Sequence, residues 1–329
     1  MANPTGIEAI TRNLILPKLH DNIFEENVLL SELKKRGNYK STSGGLKVEE
    51  ELEYGKSTVT TYSTSNNVLG TSQTDDLVTR TQNDWRHYEA AIVLSGLKAL
   101  YNQGNEALVD YVTTKVKNAH KSLEEQVSAD LYNDQSNSGV TLPAGDAEGI
   151  NGLTQICDDG TEANATYANI ARGSYTWWKA NTQDLSGAAI TIKDINTMLT
   201  QCANGNDRVT FSLAKAVVVD YLKSLLTPNQ RFSDAKLAEA GFENIKIGNA
   251  IIVADDSVPM YDTSWYRMFH LNLKYLYLRY HKDDNFSLDK EGYVVPAGSR
   301  KKTSHIFWSG NLTCSNCARQ GQTRNFAIG

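Results

Sequence analysis

Cys314 and Cys317 stand three apart in "GNLTCSNCARQG", a spacing that serves half of a tetrahedral zinc site or a dithiol redox pair. A structural zinc needs four converging soft ligands, which in sequence usually form two close pairs. Here Cys157 and Cys202 stand alone, so the second half is missing. Cys202 has an ordinary role: in "TIKDINTMLTQCAN", Ile195, Met198, Leu199 and Cys202 recur at helical spacing, with Thr191 or Lys193 near the start, which makes it a core thiol. A redox pair needs its thiols at the start of a helix, whose dipole lowers one pKa. "HIFWSGNLTCSNCARQG" instead reads as strand, with Gly310-Asn311 as a turn signal, and the expectation is two strand residues. A thiol or zinc enzyme would have to rest on Cys314 and Cys317.

Other chemistry finds less support. His20, His87, His120, His270, His281 and His305 never fall four apart on one helix face, and no G-x-S-x-G nucleophile elbow occurs. "DDGTE" from Asp158 and "DDNFSLDKEG" from Asp283 share the acidity of calcium loops but lack the ligand loop's glycine, so both are expected to be solvated turns. No glycine-rich phosphate cradle follows a strand. The residues point to no catalytic group, no metal and no cofactor.

These candidates sit in a chain of 329 residues, enough for one large domain or two ordinary ones. A net charge of -5 supplies no basic surplus, which argues against tight nucleic-acid binding. No apolar run is long enough to span a bilayer, and "MANPTGIEAITRN" lacks the pattern of a secretory signal, so the chain is expected to stay in cytoplasm without a membrane partner. Four unevenly spaced cysteines fit a reducing compartment.

The periodicities divide the chain. A mixed segment broken at Pro17 ends at Gly37, with a short helix predicted from about Asp21 to Lys35. "YKSTSGGLKVEEELEYGKSTVTTYSTSNNVLG" follows: Leu46, Val48, Leu52 and Tyr54 alternate up to a possible turn at Gly55-Lys56, and Val59, Thr61 and Ser63 continue beyond it, which predicts a long β-ribbon. Such a ribbon standing free cannot bury Leu46, Val48, Leu52, Tyr54, Val59 and Tyr62 well enough to offset the backbone entropy lost on ordering it. Either it moves, or another surface covers it.

After Gly104 the pattern turns helical: Leu108, Val112, Val116, Ala119, Leu123, Val127 and Leu131 step by three or four, with Asn105 as N-cap. One narrow apolar stripe predicts a helix lying across a sheet. Trp177 and Trp178 read as core or interface aromatics. From Ile190 to Val258 an α/β unit is expected, with the Cys202 helix, a second helix holding Leu213, Val217, Tyr221 and Leu225, and a hairpin turning at Gly248-Asn249. "YRMFHLNLKYLYLRYH" and "SHIFWSGNLTCSNC" return to strands.

Arm, ribbon, long helix, inserted α/β unit and returning strands follow the order of the major capsid proteins of tailed bacteriophages, the Hong Kong 97 fold. "GINGLTQI", "RGSYTWWKAN", "IIVADDSVP", "MFHLNLKYLYLRYHKDDNF" and "FWSGNLTCSNCARQG" resemble segments of that family, over nearly the whole chain. The resemblance implies an α+β capsid fold with an N-terminal arm over 1–37, an extended loop over 38–88, and a peripheral domain over 89–185 and 258–329 whose spine helix spans about 105–131. An axial domain would occupy 186–257. It also implies that the loop lies over a neighbouring subunit, with Leu46, Val48, Leu52, Tyr54, Lys56, Val59 and Tyr62 as contact residues. The implied function is a non-enzymatic shell subunit, forming hexamers and pentamers of an icosahedral head around double-stranded DNA held without sequence specificity. An encapsulin-like nanocompartment shell is the alternative. The implied partners are other copies, a portal, a decoration protein, and a separate scaffolding protein, because the chain from Met1 lacks the cleaved scaffolding segment of some members; the implied location is the virion, assembled in bacterial cytoplasm. Some members crosslink a loop lysine to a neighbour's asparagine. Lys56 is suitably placed, although a solvated charge at an exposed turn is the expectation.

Overall fold

The strongest alternation in the chain, in "LYLRYH" and "SHIFWSG", becomes the middle of its first sheet. The computed structural model describes residues 28–56, 77–96, 105–133, 149–161, 164–226, 244–290 and 292–329, with side chains in 105–111 excepted. In chain order the first elements are α1 (Val28–Lys35), β1 (Tyr39–Thr42), β2 (Lys47–Glu53), β3 (Val78–Asp84), β4 (Arg86–Ser95) and α2 (Asn105–Asp130). The middle holds α3 (Leu153–Ile156), β5 (Thr166–Tyr167), β6 (Ile170–Ala171), β7 (Asn181–Asp184), α4 (Ile192–Gln201), β8 (Phe211–Ala214) and α5 (Ala216–Leu225). Strands β9 (Asn244–Ile247), β10 (Ala250–Ala254), β11 (Tyr266–Leu271), β12 (Leu276–Leu288), β13 (Lys301–Cys314) and β14 (Gly321–Phe326) complete the described chain.

One sheet runs β1-β12-β13-β4, with β1 parallel to β12 and the remaining pairs antiparallel. Across it, against β4, lies α2. Its Val112, Val116, Ala119, Leu123 and Val127, with Leu131 just beyond its end, are buried, as the single apolar stripe requires. At 26 residues it is about 39 Å long. Tyr88 of β4 donates to Asp130 at 2.7 Å and pins the helix end to the sheet. With α1, Trp178 and Trp308 these residues form the larger core.

The second sheet runs β7-β14-β11-β8-β10-β9. A smaller core lies under α4 and α5, built from Ile195, Val218, Val219, Leu222, Ile252, Met268 and Phe326. Helix α4 starts at a capping box: Thr191 accepts from the Asp194 amide and Asp194 accepts from the Thr191 amide. The hairpin β9–β10 turns where Gly248-Asn249 predicts, with Gly248 at φ +60°.

Several expectations change. Leu213 lies in β8, not in a helix; the helix begins after it at Ala216. Gly310-Asn311 makes no turn, because β13 runs straight through. Gly310 answers a different need, since a Cβ there would sit 2.6 Å from the Arg279 carbonyl and 2.7 Å from the Trp308 ring. The stretch from Asp283 continues β12 through register shifts near Asn285, and Asp158 is fully buried with its carboxylate accepting from the Gly160 amide, so neither acidic stretch is simply a solvated turn. The second sheet draws β8, β9 and β10 from within 186–257 and β7, β11 and β14 from outside it. The described part of the expected Asp21–Lys35 helix is α1; its earlier residues lie outside the described chain.

Candidate inter-subunit surface

Strands β2 and β3 pair antiparallel from Lys47↔Asp84 to Glu53↔Val78. The partner of β2 is therefore Val78–Asp84; Val59, Thr61 and Ser63, expected to continue the ribbon, lie outside the described residues. Period-two alternation sorts the ribbon into two faces. Val48, Glu50 and Leu52, with Thr81 and Asn83, turn inward, while Lys47, Glu49, Glu51, Glu53, Arg80 and Asp84 turn to solvent.

The inward face is bolted to the first sheet. One oxygen of Glu50, Oε1, accepts from Arg279 Nε at 2.7 Å and from Thr313 Oγ1 at 2.9 Å, with Arg279 Nη2 at 2.5 Å. Asn151 bridges the ribbon and β13: its side chain donates to Asn83 and its amide to Asn311, both at 2.8 Å. Asn311 in turn donates to the Asp84 carbonyl at 2.8 Å. Val48 and Leu52 are buried among these elements by the chain itself. Val48 and Leu52 keep little apolar area at the surface, at 3% and 7% exposure.

The outer face and the ribbon's far end differ. Leu46 is 92% exposed, Val78 63% and Tyr54 36%. Tyr54 stacks on Trp177, rings 5.0 Å apart and nearly parallel, and Tyr175 tilts against the same indole at 6.1 Å. Lys56 is exposed. Val59 and Tyr62 lie outside the described residues. Lys47 pairs with Asp84 at 3.1 Å and Arg80 with Glu49 at 3.0 Å, while no cation among the described residues pairs with Glu51 or Glu53. Sequence reasoning missed Val78 and Tyr175. Val78 belongs to a strand that only its pairing with β2 reveals; Tyr175 could have been suspected from its place beside two tryptophans.

The chemical candidates take structural places. Cys314 ends β13, Cys317 opens a single 3-10 turn, and Cys157 approaches from after α3, all buried. Burial pushes the thiols of Cys157 and Cys314 up, and that of Cys202 up to about 12. No metal-holding group of three or more His, Cys, Asp or Glu side chains occurs among the described residues. Ser309 donates to Asp284 at 2.6 Å and lies 2.7 Å from His87 Nδ1, which puts the serine between imidazole and carboxylate. A hydrolytic triad needs the imidazole in the middle. His270 does sit between two hydroxyls, Ser212 and Thr323, each at 3.1 Å, but burial within the sheet pushes it down to about 4 and keeps it neutral.

No protein-family model matches the chain, and no curated protein does. Among solved structures, the chain superposes on one titled as the cyanophage A-1(L) capsid asymmetric unit with a TM-score of 0.67 at 16% identity, covering 93% of this chain and 94% of that one. A satellite phage P4 procapsid that includes the size determination protein gives 0.54 at 10% identity, covering 95% and 91%. The holo-SrpI encapsulin complex of Synechococcus elongatus PCC 7942 gives 0.51 at 9%, covering 90% and 88%. The expected Hong Kong 97-type α+β fold is thus the fold of this chain.

Proposed function

Because the chain carries the fold of phage capsid shells over nearly its full length, we propose that it is a major capsid protein. In this reading, copies associate into hexamers and pentamers that close an icosahedral head around double-stranded DNA. The superposition on the cyanophage capsid structure over 93% of this chain carries the proposal. Ribbon geometry supports it: the base is fixed to its own sheet, and Leu46, Tyr54 and Val78 hold apolar area that this chain leaves open. Burial of such area is the ordinary driving force for association. Val59 and Tyr62 extend the same proposed contact. Residues 186–257 with the strands that complete their sheet form the axial region, and α2 with the first sheet forms the peripheral one. A scaffolding protein, a portal and a decoration protein complete the proposed partners, with assembly in bacterial cytoplasm and the virion as destination. A net charge of -5 suits a lining that must release its polyanion.

The encapsulin superposition supports a second reading, a nanocompartment shell around an enzyme cargo. Expression of the full chain with its neighbouring open reading frames, followed by sedimentation and negative-stain microscopy, separates the two. Closed particles that fill with DNA in the presence of a portal support the head, and particles that co-purify with an enzyme and no portal support the compartment. A chain that stays monomeric with every neighbour present overturns both.

A further inference from the structure

The ribbon's outer face keeps two charges that the chain does not balance. Lys47 pairs there with Asp84 and Arg80 with Glu49, which leaves Glu51 and Glu53 over. Val78, 63% exposed, stands directly opposite Glu53 in the register, so the surplus acid borders open apolar surface. Lys56 lies past the last paired residue. A second surface has the opposite sign. Between β12 and β13 the chain turns at residues 296–299, where the Ser299 amide donates to the Pro296 carbonyl at 3.1 Å and Gly298 takes φ +75°. Val294 and Thr303 exchange both backbone hydrogen bonds at 2.8 Å, which holds the two arms of the turn together. On one arm Val294 and Val295 are 45% and 52% exposed. On the other Arg300, Lys301 and Lys302 are all exposed, and among the described residues no carboxylate pairs with them. Across from Lys301 and Lys302, β4 offers only Ser95 and Leu94.

The two surfaces cannot neutralise each other within one molecule. Glu50 is bonded to Thr313 near the far end of β13, eleven residues from Lys302 along that strand. At roughly 3.3 Å per residue the separation is about 35 Å. Glu53 stands three residues beyond Glu50 and shortens it by at most about 10 Å. The remaining gap is well above the Debye length of about 8 Å at physiological salt. We propose that residues 294–302 are the seat for the outer face of a neighbouring copy's ribbon: Glu51 and Glu53 of one copy meet Arg300, Lys301 and Lys302 of the next, and Val78 closes on Val294 and Val295. The contact rests on the shell reading and gives the ribbon its counterpart. Its two halves are different surfaces, so it is head-to-tail: each copy offers one ribbon and one seat, and a closing rotation turns such copies into a ring. Burial of the valines supplies attraction, while the opposed charges fix the register and reject a displaced one. A phosphate polymer is the competing occupant of the three cations, but it makes no use of the valines beside them and leaves Glu51 and Glu53 unbalanced.

The test compares four full-length chains by sedimentation, each expressed with the neighbouring reading frames: wild type, Glu51→Lys with Glu53→Lys, Lys301→Glu with Lys302→Glu, and all four changes together. Each one-sided swap is expected to lower particle yield at least about tenfold, and the combined chain to recover to within about threefold of wild type. All four side chains are exposed, so the swaps should leave the melting temperature where it was. Where one does not, Glu51→Gln with Glu53→Gln and Lys301→Gln with Lys302→Gln replace the swaps, and neutralising both surfaces should then lower the yield no further than neutralising either. One-sided swaps that assemble as wild type does, or a combined chain that fails to recover, overturn the contact and leave the shell reading standing. A wild-type chain that never assembles overturns both. Particles of Lys301→Glu with Lys302→Glu that form normally but lose their DNA would give the cations to phosphate and overturn the contact.

Discussion

Removing the Glu50 carboxylate should release the ribbon from its own sheet. Its Oε1 collects Arg279 Nε, Arg279 Nη2 and Thr313 Oγ1 within 2.5 to 2.9 Å. Thr313 retains the Tyr277 carbonyl as a second acceptor at 3.3 Å, so the cost of Glu50→Ala falls on Arg279. Breaking a buried pair by deleting one partner costs about 3–5 kcal/mol. The Arg279 side chain keeps 23% of its surface in water, so solvent screening lowers this to about 2–3 kcal/mol. The loss is local, because β2 gives the larger core only Leu52, and it speeds amide exchange of Val48 to Leu52 by about 30- to 150-fold. Hydrogen exchange with mass analysis of the 46–54 peptide reads this directly. Glu50→Leu combined with Arg279→Met, which leaves neither charge, should return exchange to within about 1 kcal/mol of wild type. A change below threefold in Glu50→Ala, or a double variant that exchanges as fast as the two singles multiplied, would refute the reasoning.

Other outcomes follow from single sites. His270 is held down to about 4, against about 6.5 in the unfolded chain, so the unfolded state binds more protons between those values. Stability should therefore be full above pH 6.5 and fall by about 3 kcal/mol as pH drops toward 4, read by urea unfolding; an imidazole resonance titrating near 6.5 would contradict the assignment. Gly310→Ala should cost about 2 kcal/mol or more through its clash with the Arg279 carbonyl, while Gly173→Ala, with open space around its Cβ, should lie within about 1 kcal/mol of wild type; equal melting temperatures would show that β12 and β13 are not packed as described. Leu46→Glu should leave folding within about 0.5 kcal/mol and stop particle formation, whereas Val48→Ala should lower stability and spare assembly; the reverse pattern in calorimetry and sedimentation would overturn the proposed surface.

The long helix was legible because a single stripe at helical spacing has one physical solution: an element lying on a sheet. Hairpin β9–β10 was legible because Gly248-Asn249 supplies a left-handed turn between two apolar runs. Leu213 was misread because Leu213, Val217, Tyr221 and Leu225 keep a spacing of four even though a strand ends and a helix begins between the first two. Gly310 was misread because a glycine demanded by close approach looks, in one dimension, like a glycine demanded by a turn. The burial of Asp158 and the Glu50–Arg279 bolt, which joins positions 229 residues apart, depend on a fold around them. Local periodicity carries no trace of such meetings. For the ribbon, alternation revealed two faces but not that the chain itself would cover Val48 and Leu52.

The position of β14 also bears on how the molecule is made. This strand lies between β7 and β11, so it is an interior member of the second sheet and not a trailing edge. While a ribosome is still translating the codons before Gly321, β7 has no neighbour in the sheet and β11 has one side bare; the sheet closes only once 321–326 have emerged. A chain that stops before Gly321 should therefore keep the first sheet, whose last strand ends at Cys314, and lose the order of the second.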